Sequence, residues 1–594
     1  MKVPSAVAAA FAVSSAAALD AKFYGMNYDT RLSEWGGCKD ANTMAQDMTV
    51  LKQVTDNIRI YSMNFECTKR VLQVADNRGL KVWLGMWSEI DAPGVHDSFP
   101  SEMNNLKALV EQTQAIRNDN VLGLQVSSEA LYRYYVQGPG NVTGSSDRRG
   151  YDALVNHLNE ARNYLRGRGY TFPVVITDIM DMYTMFPDLY NVVDVVAVNQ
   201  FSFWQHITPE DGTHFTFTRF QEEQTRAKRA GKLIEMHETG WSTAGEHPVV
   251  TEASPRAQGV FTQDFLTLVA RQNINTYYFS GFDLPFGSSD IEKNFGIYTT
   301  DRVLKPAIAA VRVGAPLQAV RLWAQGNVIK VNRHWNADNT VNDNYGRVYA
   351  EKPASGRSGI FDDEIWLWDA DARILYSKSS DACLDSYGDR YQQTLHTWYC
   401  SKENRNQKWS VKNGNIASLN DANFCIDVDL ARPKTSDGKL VVKMFPCVGH
   451  PNQVISMVPA AAEPVEIGIK SSGGVLTEWN GRVSWETVRK SNADCHQWFY
   501  DPITQLIASK SYRGLCLDAY ERRNGGTVHL YYCNAANANQ KWVVNDITGQ
   551  LHHATHLGFC LDGPDNANGL VHLWSCDKTN VNQKWSIKLV NATP

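Results

Sequence analysis

Asn406-Gln407-Lys408-Trp409, Asn539-Gln540-Lys541-Trp542 and Asn582-Gln583-Lys584-Trp585 are three copies of one tetrapeptide. Looser copies, Glu364-Ile365-Trp366, Gln453-Val454-Ile455 and Gln497-Trp498-Phe499, fall in the same rhythm. The six end positions, 366, 409, 455, 499, 542 and 585, are 43 to 46 residues apart. A fixed period of that size marks repeated supersecondary units. Around them Gly, Asn, Asp and Ser punctuate short strand-type runs, and helical periodicity is poor. Six repeats predict two all-β units of three repeats each, residues 314–459 and 464–590, joined by Pro459-Ala460-Ala461-Ala462-Glu463-Pro464.

Residues 19–313 lack this rhythm. Eight apolar runs, at 23–28, 58–61, 82–86, 121–126, 174–177, 192–199, 233–238 and 276–279, read as strands. Between them lie stretches with apolar residues at helical spacing, such as 44–54, 105–116, 151–166 and 257–271. A doubly wound sheet would alternate in the same way. The count of eight and the lack of a Gly-rich phosphate loop favour a (β/α)8 TIM barrel. The fold class is therefore an α/β barrel followed by two all-β units.

Composition narrows the functions. A net charge of −5 and no basic stripe argue against nucleic acid. Residues 1–18 read as a signal peptide, with Lys2, an Ala/Val/Phe run and Ala16-Ala17-Ala18 as a cleavage site. No other segment is apolar enough for a membrane span, so a secreted, soluble, monomeric protein is expected. Eleven Cys suit an oxidising compartment. Their order predicts pairs of Cys38 with Cys67, Cys383 with Cys400, Cys425 with Cys447, Cys516 with Cys533, and Cys560 with Cys576. Each would restrict the unfolded chain by about 3 kcal/mol. Cys495 is left over, and a buried thiol is expected there. Asn141 and Asn591 begin glycosylation acceptors.

In a (β/α)8 barrel the chemistry sits at the C-terminal strand ends. Glu129 follows the fourth apolar run and Glu238 ends the seventh. Such carboxylates can face each other across the mouth, and a close pair suits retaining glycoside hydrolysis. His206, His214, His237 and His247 lack zinc-ligand spacing, so no metal and no cofactor is expected.

Several segments resemble family 17 of the glycoside hydrolases, the β-1,3-glucanases, in its fungal cell-wall branch. They are Phe23-Tyr24-Gly25-Met26-Asn27-Tyr28-Asp29, Ile58-Arg59-Ile60-Tyr61-Ser62, Lys81-Val82-Trp83-Leu84-Gly85-Met86-Trp87, Val198-Asn199-Gln200-Phe201-Ser202-Phe203-Trp204 and Glu292-Lys293-Asn294-Phe295-Gly296-Ile297. Glu238-Thr239-Gly240-Trp241 is the most specific match. The resemblance implies Glu129 as acid/base and Glu238 as nucleophile. Independently of the resemblance, Tyr28, Tyr61, Phe203 and Trp241 lie at or just beyond strand ends, where they would stack on sugar or bond the nucleophile, and Asn199 and Glu292 would bind hydroxyls. Ser128 stands where the family commonly has Asn, and Ser280 where it commonly has an acid.

Four repeats share a fuller pattern of Cys, an apolar residue and Asp, then an aromatic residue two before the next Cys, then Asn-Gln. The members are Asp385, His396, Trp398 and Asn406; Asp427, Phe445 and Asn452; Asp518, His529, Tyr531 and Asn539; and Asp562, His572, Trp574 and Asn582. Carboxylate, amide and ring together suit a pyranose. The pattern resembles the ricin-type β-trefoil lectins, family 13 of the carbohydrate-binding modules, whose Gln-x-Trp element is structural. The repeats near 318–368 and 465–500 lack the pattern and are expected to be fillers, with Trp323, Trp335, Trp366 and Trp368 in the core.

These readings imply a secreted enzyme that cleaves β-1,3-glucan and is held on polysaccharide or other glycans by two lectin units. The alternatives are a β-1,3-glucan transglycosylase of wall remodelling and a non-catalytic sugar-binding protein.

Overall fold

A computed structural model of the chain describes residues 19–590, apart from 35, 139–145, 337–339, 344, 353–361, 388–393, 432–437, 470–472, 488–492 and 567–568. The leader expected over 1–18 and the acceptors Asn141 and Asn591 lie outside the described residues. Among the described residues no helix is long and apolar enough to cross a membrane.

Eight parallel strands close a barrel in sequence order. They are β1 (Gly25–Asn27), β2 (Asn57–Arg59), β3 (Lys81–Gly85), β4 (Val121–Ser128), β5 (Val174–Ile179), β6 (Val196–Asn199), β7 (Ile234–Thr239) and β8 (Thr276–Tyr278). Each overlaps its apolar run. The runs are nearly continuous because lumen packing covers one strand face and helices cover the other. The helix Pro209–Ala230 starts on Thr208, whose side chain accepts from the Asp211 amide, with Pro209 in the first turn. It ends at Gly231 (φ +72°), a left-handed position that glycine takes without strain. A Cβ there would also meet Gln550 at 2.8 Å.

The C-terminal half holds two 12-stranded sheets, one from Gln318–Ala324 to Ser456–Pro459 and one from Pro464–Ile469 to Trp585–Leu589. The repeated Trp residues form their cores. Trp366, Trp409, Trp498, Trp542 and Trp585 are buried, and each indole donates at 2.9–3.1 Å to a carbonyl of a neighbouring strand. These bonds satisfy buried N–H groups that would otherwise cost about 1–3 kcal/mol each. The structure corrects one phase. The core ring of the fourth repeat is Trp498 and not Phe499, and His496 takes the place of the motif's Gln, with its ring 3.1 Å from Thr477 Oγ1. The five disulfides join the expected Cys pairs, and Cys495, outside them, is buried.

The second trefoil meets the barrel floor, where strands begin. Arg522 donates to the carbonyls of Val121 and Leu122, and Thr171 Oγ1 donates to the Arg522 carbonyl at 2.7 Å. Leu557 packs with Trp83, Val175, Val195, Ala197 and Tyr277. The first trefoil is clamped by Arg271, which grips Asp381 through Nε and Nη2 at 3.0 and 2.6 Å. Asp546 of the second trefoil takes Lys228 of the barrel at 3.3 Å and Arg333 of the first trefoil at 2.6 Å. Burial raises the Asp546 pKa, but the two cations outweigh it and hold the carboxyl far below its usual range. Its contribution is therefore present at neutral pH and is lost only as pH falls through the depressed value. Asp546→Ala would take the nearer carboxylate from both cations, leaving Arg333 with Asp363 and Lys228 with Asp362, and the first thermal transition should drop by roughly 5 °C or more at pH 7. An unchanged transition in differential scanning calorimetry would contradict this three-way clamp.

Candidate active site

A cavity of about 650 Å³ opens at the C-terminal mouth of the barrel. Its wall includes Asn27, Tyr61, Trp87, Ser128, Glu129, Glu238 and Glu292. Glu238 lies on β7, and Glu129 follows β4 directly. Glu129 has φ +58° in the left-handed region, a conformation a non-glycine residue keeps only when its surroundings hold it. Its amide donates to the Thr177 carbonyl at 2.9 Å, and its carbonyl accepts from the Arg133 amide at 3.0 Å.

Arg59 organises the floor of the cavity. Its buried guanidinium donates through Nη1 to Glu238 Oε1 at 2.8 Å and Asn27 Oδ1 at 2.7 Å. Nε donates to Gln125 Oε1 at 2.6 Å, and Nη2 to Ser128 Oγ at 3.1 Å. Ser128 in turn donates to Glu238 Oε1 at 3.2 Å. Thus the hydroxyl that replaces the family's Asn bonds one carboxylate of the pair.

Glu129 has different surroundings. Asn199 Nδ2 donates to its Oε1 at 2.8 Å, and no cation bonds it among the described residues. Burial, then the charge of Glu238, push its pKa up to about 7. Behind it, burial and then the charge of Glu129 push Asp178 up to about 8, though the amides of Leu131 and Ile179 donate to that carboxylate. Two carboxyls thus share one cavity in unlike surroundings, one bound by a guanidinium and one desolvated, an arrangement that can serve a nucleophile and a proton donor.

The other expected residues divide. Tyr61 lines the cavity over the Arg59 guanidinium (4.7 Å), and burial and then the Glu238 charge raise its pKa. Glu292 is raised by the same two causes in the same order. Tyr28 also lines the cavity, but its hydroxyl donates to Asp47 at 2.8 Å. Phe203 and Trp241 do not reach the cavity. They meet edge to face at 5.3 Å in the core, and the Trp241 indole donates to the Glu252 carbonyl. Strand-end position drew attention to them, but their rings turn into the helix layer. Ser280 faces the cavity and donates to the Phe282 carbonyl. Arg59 and Arg133 escaped the sequence reading. Arg133 lies 4.5 Å over the Trp87 ring and donates to the Ser128 carbonyl at 2.8 Å.

The trefoil sites repeat one geometry. Asp385, Asp518 and Asp562 are buried at the ends of strands, each 3.7–3.8 Å from the histidine ring paired across the strand: His396, His529 and His572. Trp398, Tyr531 and Trp574 are exposed beside them. The Asn amides that reach these Asp carboxylates belong to Asn404, Asn537 and Asn580, at 2.8–3.2 Å, two residues before the expected Asn406, Asn539 and Asn582, and the Gln407 and Gln583 amides also donate to Asp385 and Asp562 at 3.0 Å. Asn406 accepts from Asn420, Asn452 from Gln325, and Asn582 donates to Asp565. The Asp427 site differs: Lys443 stands opposite, 5.4 Å from the half-buried Phe445 ring. The filler repeats exchange the Asp acceptor for Lys330, bonded to Glu364 at 3.1 Å, and for Thr477. One cluster, His552 with Cys560 and Cys576, has metal-ligand distances, but its sulfurs form a disulfide.

A barrel with two unlike carboxyls at its mouth, joined to two trefoils, defines a class of carbohydrate-active architecture. Residues 25–296 match the BtgE/BtgC glycoside hydrolase domain, and residues 338–455 and 470–585 match the ricin-type beta-trefoil lectin domain. The chain thus joins a BtgE/BtgC-type glycoside hydrolase domain to two ricin-type lectin domains. It is 24% identical over 288 residues to a probable glucan endo-1,3-beta-glucosidase of Aspergillus flavus, covering 45% of this chain and 40% of that one. It therefore spans about two fifths of the Aspergillus relative's length. A glucan 1,3-beta-glucosidase of Arthroderma benhamiae is 26% identical, over 51% of this chain and 95% of its own. A β-1,3-glucanosyltransferase of Rhizomucor miehei is similar in structure, with 27% identity, a TM-score of 0.41, and 49% of this chain and 98% of that one covered.

Above pH 7 the ionised form of Glu129 is buried at a cost. Its raised pKa means stability is full below the ordinary carboxylate pKa and falls as pH rises through about 7. Glu129→Gln should therefore raise the melting temperature at pH 8 by a few degrees, with no gain at pH 4. An equal shift at both pH values in thermal melts would contradict this.

Proposed function

We propose that the protein is a secreted retaining glycosidase acting on β-1,3-glucan, with Glu129 as acid/base and Glu238 as nucleophile. The observation that carries this reading is the asymmetric pair: Glu238 bonded to Arg59, and Glu129 desolvated beside Asn199. The names of the relatives supply the substrate class. Glu129 protonates the leaving oxygen while Glu238 attacks the anomeric carbon and forms a glycosyl-enzyme. Glu129, now a base, then takes a proton from water, and the hydroxide displaces Glu238. Asn199 and Ser128 hold the two carboxylates in place, and Tyr61, Trp87 and Glu292 line the sugar path. An incoming sugar hydroxyl in place of water would give transfer in place of hydrolysis. Cys-rich trefoils and the leader support export, and a monomer suffices because one chain builds the whole cavity.

The trefoils would hold the enzyme on glycan surfaces through Asp385, Asp518 and Asp562, and more weakly Asp427. Several weak sites on one chain raise avidity.

Glu238→Gln should lower kcat on laminarin by about a thousandfold or more. Wild-type activity in that variant would remove the assignment. The profile of kcat/KM against pH should fall as pH rises through about 7, because Glu129 loses the proton it must give. That alkaline limb should vanish in Glu129→Gln with an activated aryl glycoside, and its persistence would assign the acid elsewhere. Removing Asp385, Asp518 and Asp562 together should weaken retention on insoluble glucan by about tenfold, with kcat on a soluble trisaccharide unchanged. Sedimentation of enzyme with glucan particles reads this directly.

A further inference from the structure

Each trefoil Asp stands on a row of residues that face one another across neighbouring strands. Asp385 lies opposite His396, and His396 lies opposite Arg347 on its other side. Asp518 lies opposite His529, and His529 opposite Arg482. Directly opposite residues of antiparallel strands project to one sheet face, with Cβ atoms about 4.5–5.5 Å apart. Carboxylate, imidazole and guanidinium therefore share a face in both trefoils. The other two rows end differently: Asp562 and His572 lead to Thr527, and Asp427 and Lys443 lead to Thr394. The third member always comes from the repeat before the one that carries the Asp. Arg347 and Arg482 thus belong to the two repeats that were expected to be fillers. Trp335, expected in the core of the first of these, is half-buried outside it.

Both arginines are open to solvent. Arg482 is exposed and Arg347 half-buried, and neither guanidinium has an ion pair or hydrogen bond among the described residues. None of their nitrogens is a buried atom lacking a partner, so water reaches them. An exposed ring stands beside each row: Trp398 is 59% exposed, two residues past His396, and Tyr531 is 54% exposed, two past His529. Residues two apart on a strand share its face. Trp479, 45% exposed, lies opposite Arg482 and extends the second row. The Asp end accepts from Asn404 in one row and Asn537 in the other. Two strand spacings, about 9.5 Å, separate the backbone at the Asp end from the backbone at the Arg end. That exceeds the screening length of about 8 Å at physiological salt, so the Asp charge does little to cancel the arginine. A guanidinium with no carboxylate of its own matches a carboxylate of a ligand through two parallel hydrogen bonds.

We propose that the Asp385 and Asp518 sites take acidic saccharides. The hydroxyls of one pyranose meet the Asp and its Asn, and a carboxylate on the same or the next sugar meets Arg347 or Arg482. The Asp562 site, whose row ends on Thr527, takes neutral sugar. This specificity rests on the trefoils being sugar-binding units, as proposed above, and adds the class of ligand. Uronic acids and sialic acids both carry such a carboxylate. The two repeats without an Asp then have a use, since each supplies the arginine that selects the ligand of its neighbour.

Indole ¹⁵N–¹H spectra of the full-length protein test this. Trp398 reports the Asp385 site, Trp479 the Asp518 site and Trp574 the Asp562 site, each signal assigned by its loss in the Trp→Phe variant. The probes are matched pairs, each titrated to about 50 mM: glucose with glucuronate, galactose with galacturonate, and lactose with sialyllactose. The expected result is that, in at least one pair, the acid shifts the Trp398 and Trp479 signals with a midpoint about fivefold below that of its neutral partner. The gain is held to that size because the arginines are open to water. The pair that shows it separates a uronic from a sialic source. Arg347→Gln should remove the gain at Trp398, and Arg482→Gln at Trp479, while Trp574 shows no preference for the acid in any variant. Acids no tighter than their neutral partners at Trp398 and Trp479 would overturn the proposal and leave the trefoils as lectins for neutral sugar. A preference that survives the Arg→Gln changes would overturn it too. No saturable shift of any of the three signals with any probe would overturn it together with the sugar-binding reading.

Discussion

The Arg59 guanidinium is the constraint on which the mouth of the barrel depends. It is fully buried, and a buried cation is tolerated only when carboxylate and amide oxygens surround it. Three strands meet that need of the β2 residue: β1 with Asn27, β4 with Gln125 and Ser128, and β7 with Glu238. Satisfying one charge therefore fixes the position of one carboxylate of the pair. It also leaves the other carboxylate without a bonded cation. Glu129 has one amide donor, and burial first and the charge of Glu238 second raise its pKa. The two proposed roles rest on this asymmetry.

The trefoils leave that mouth open. Their contacts with the barrel are at the floor and along the outer helices, through Arg522, Leu557, Asp381 and Asp546. The exposed trefoil rings and the barrel cavity are thus separate surfaces of one body. The interface is rich in charged groups, so it relies on paired partners more than on apolar area.

Much of the fold was legible because its signals are local. Eight apolar runs mark the barrel strands, and the Trp period marks the trefoils. The fourth repeat was misphased by one residue because Trp498 and Phe499 are adjacent aromatics, and only burial separates core from rim. That Glu129 and Glu238 share one cavity at the strand ends was legible, because one follows and the other ends an apolar run. Arg59 was not, because inside Ile-Arg-Ile it looks like any charged residue in a strand, and its partners are 32 to 179 positions away. Phe203 and Trp241 show the reverse limit. Sequence places a ring at a strand end but does not say which way the backbone turns it. The trefoil amides illustrate a subtler limit. Asn404, Asn537 and Asn580 reach the carboxylates because a short 3-10 turn brings them back, while the motif's own Asn points elsewhere.

The most direct test of the account is to trap the intermediate. The protein would be treated with an activated 2-fluoro laminaribioside, and the labelled peptide read by mass spectrometry. The account predicts one covalent glycosyl group on Glu238, formed by the wild type and absent in Glu238→Gln. A label on another residue, or turnover with inverted anomeric configuration and no label, would contradict it.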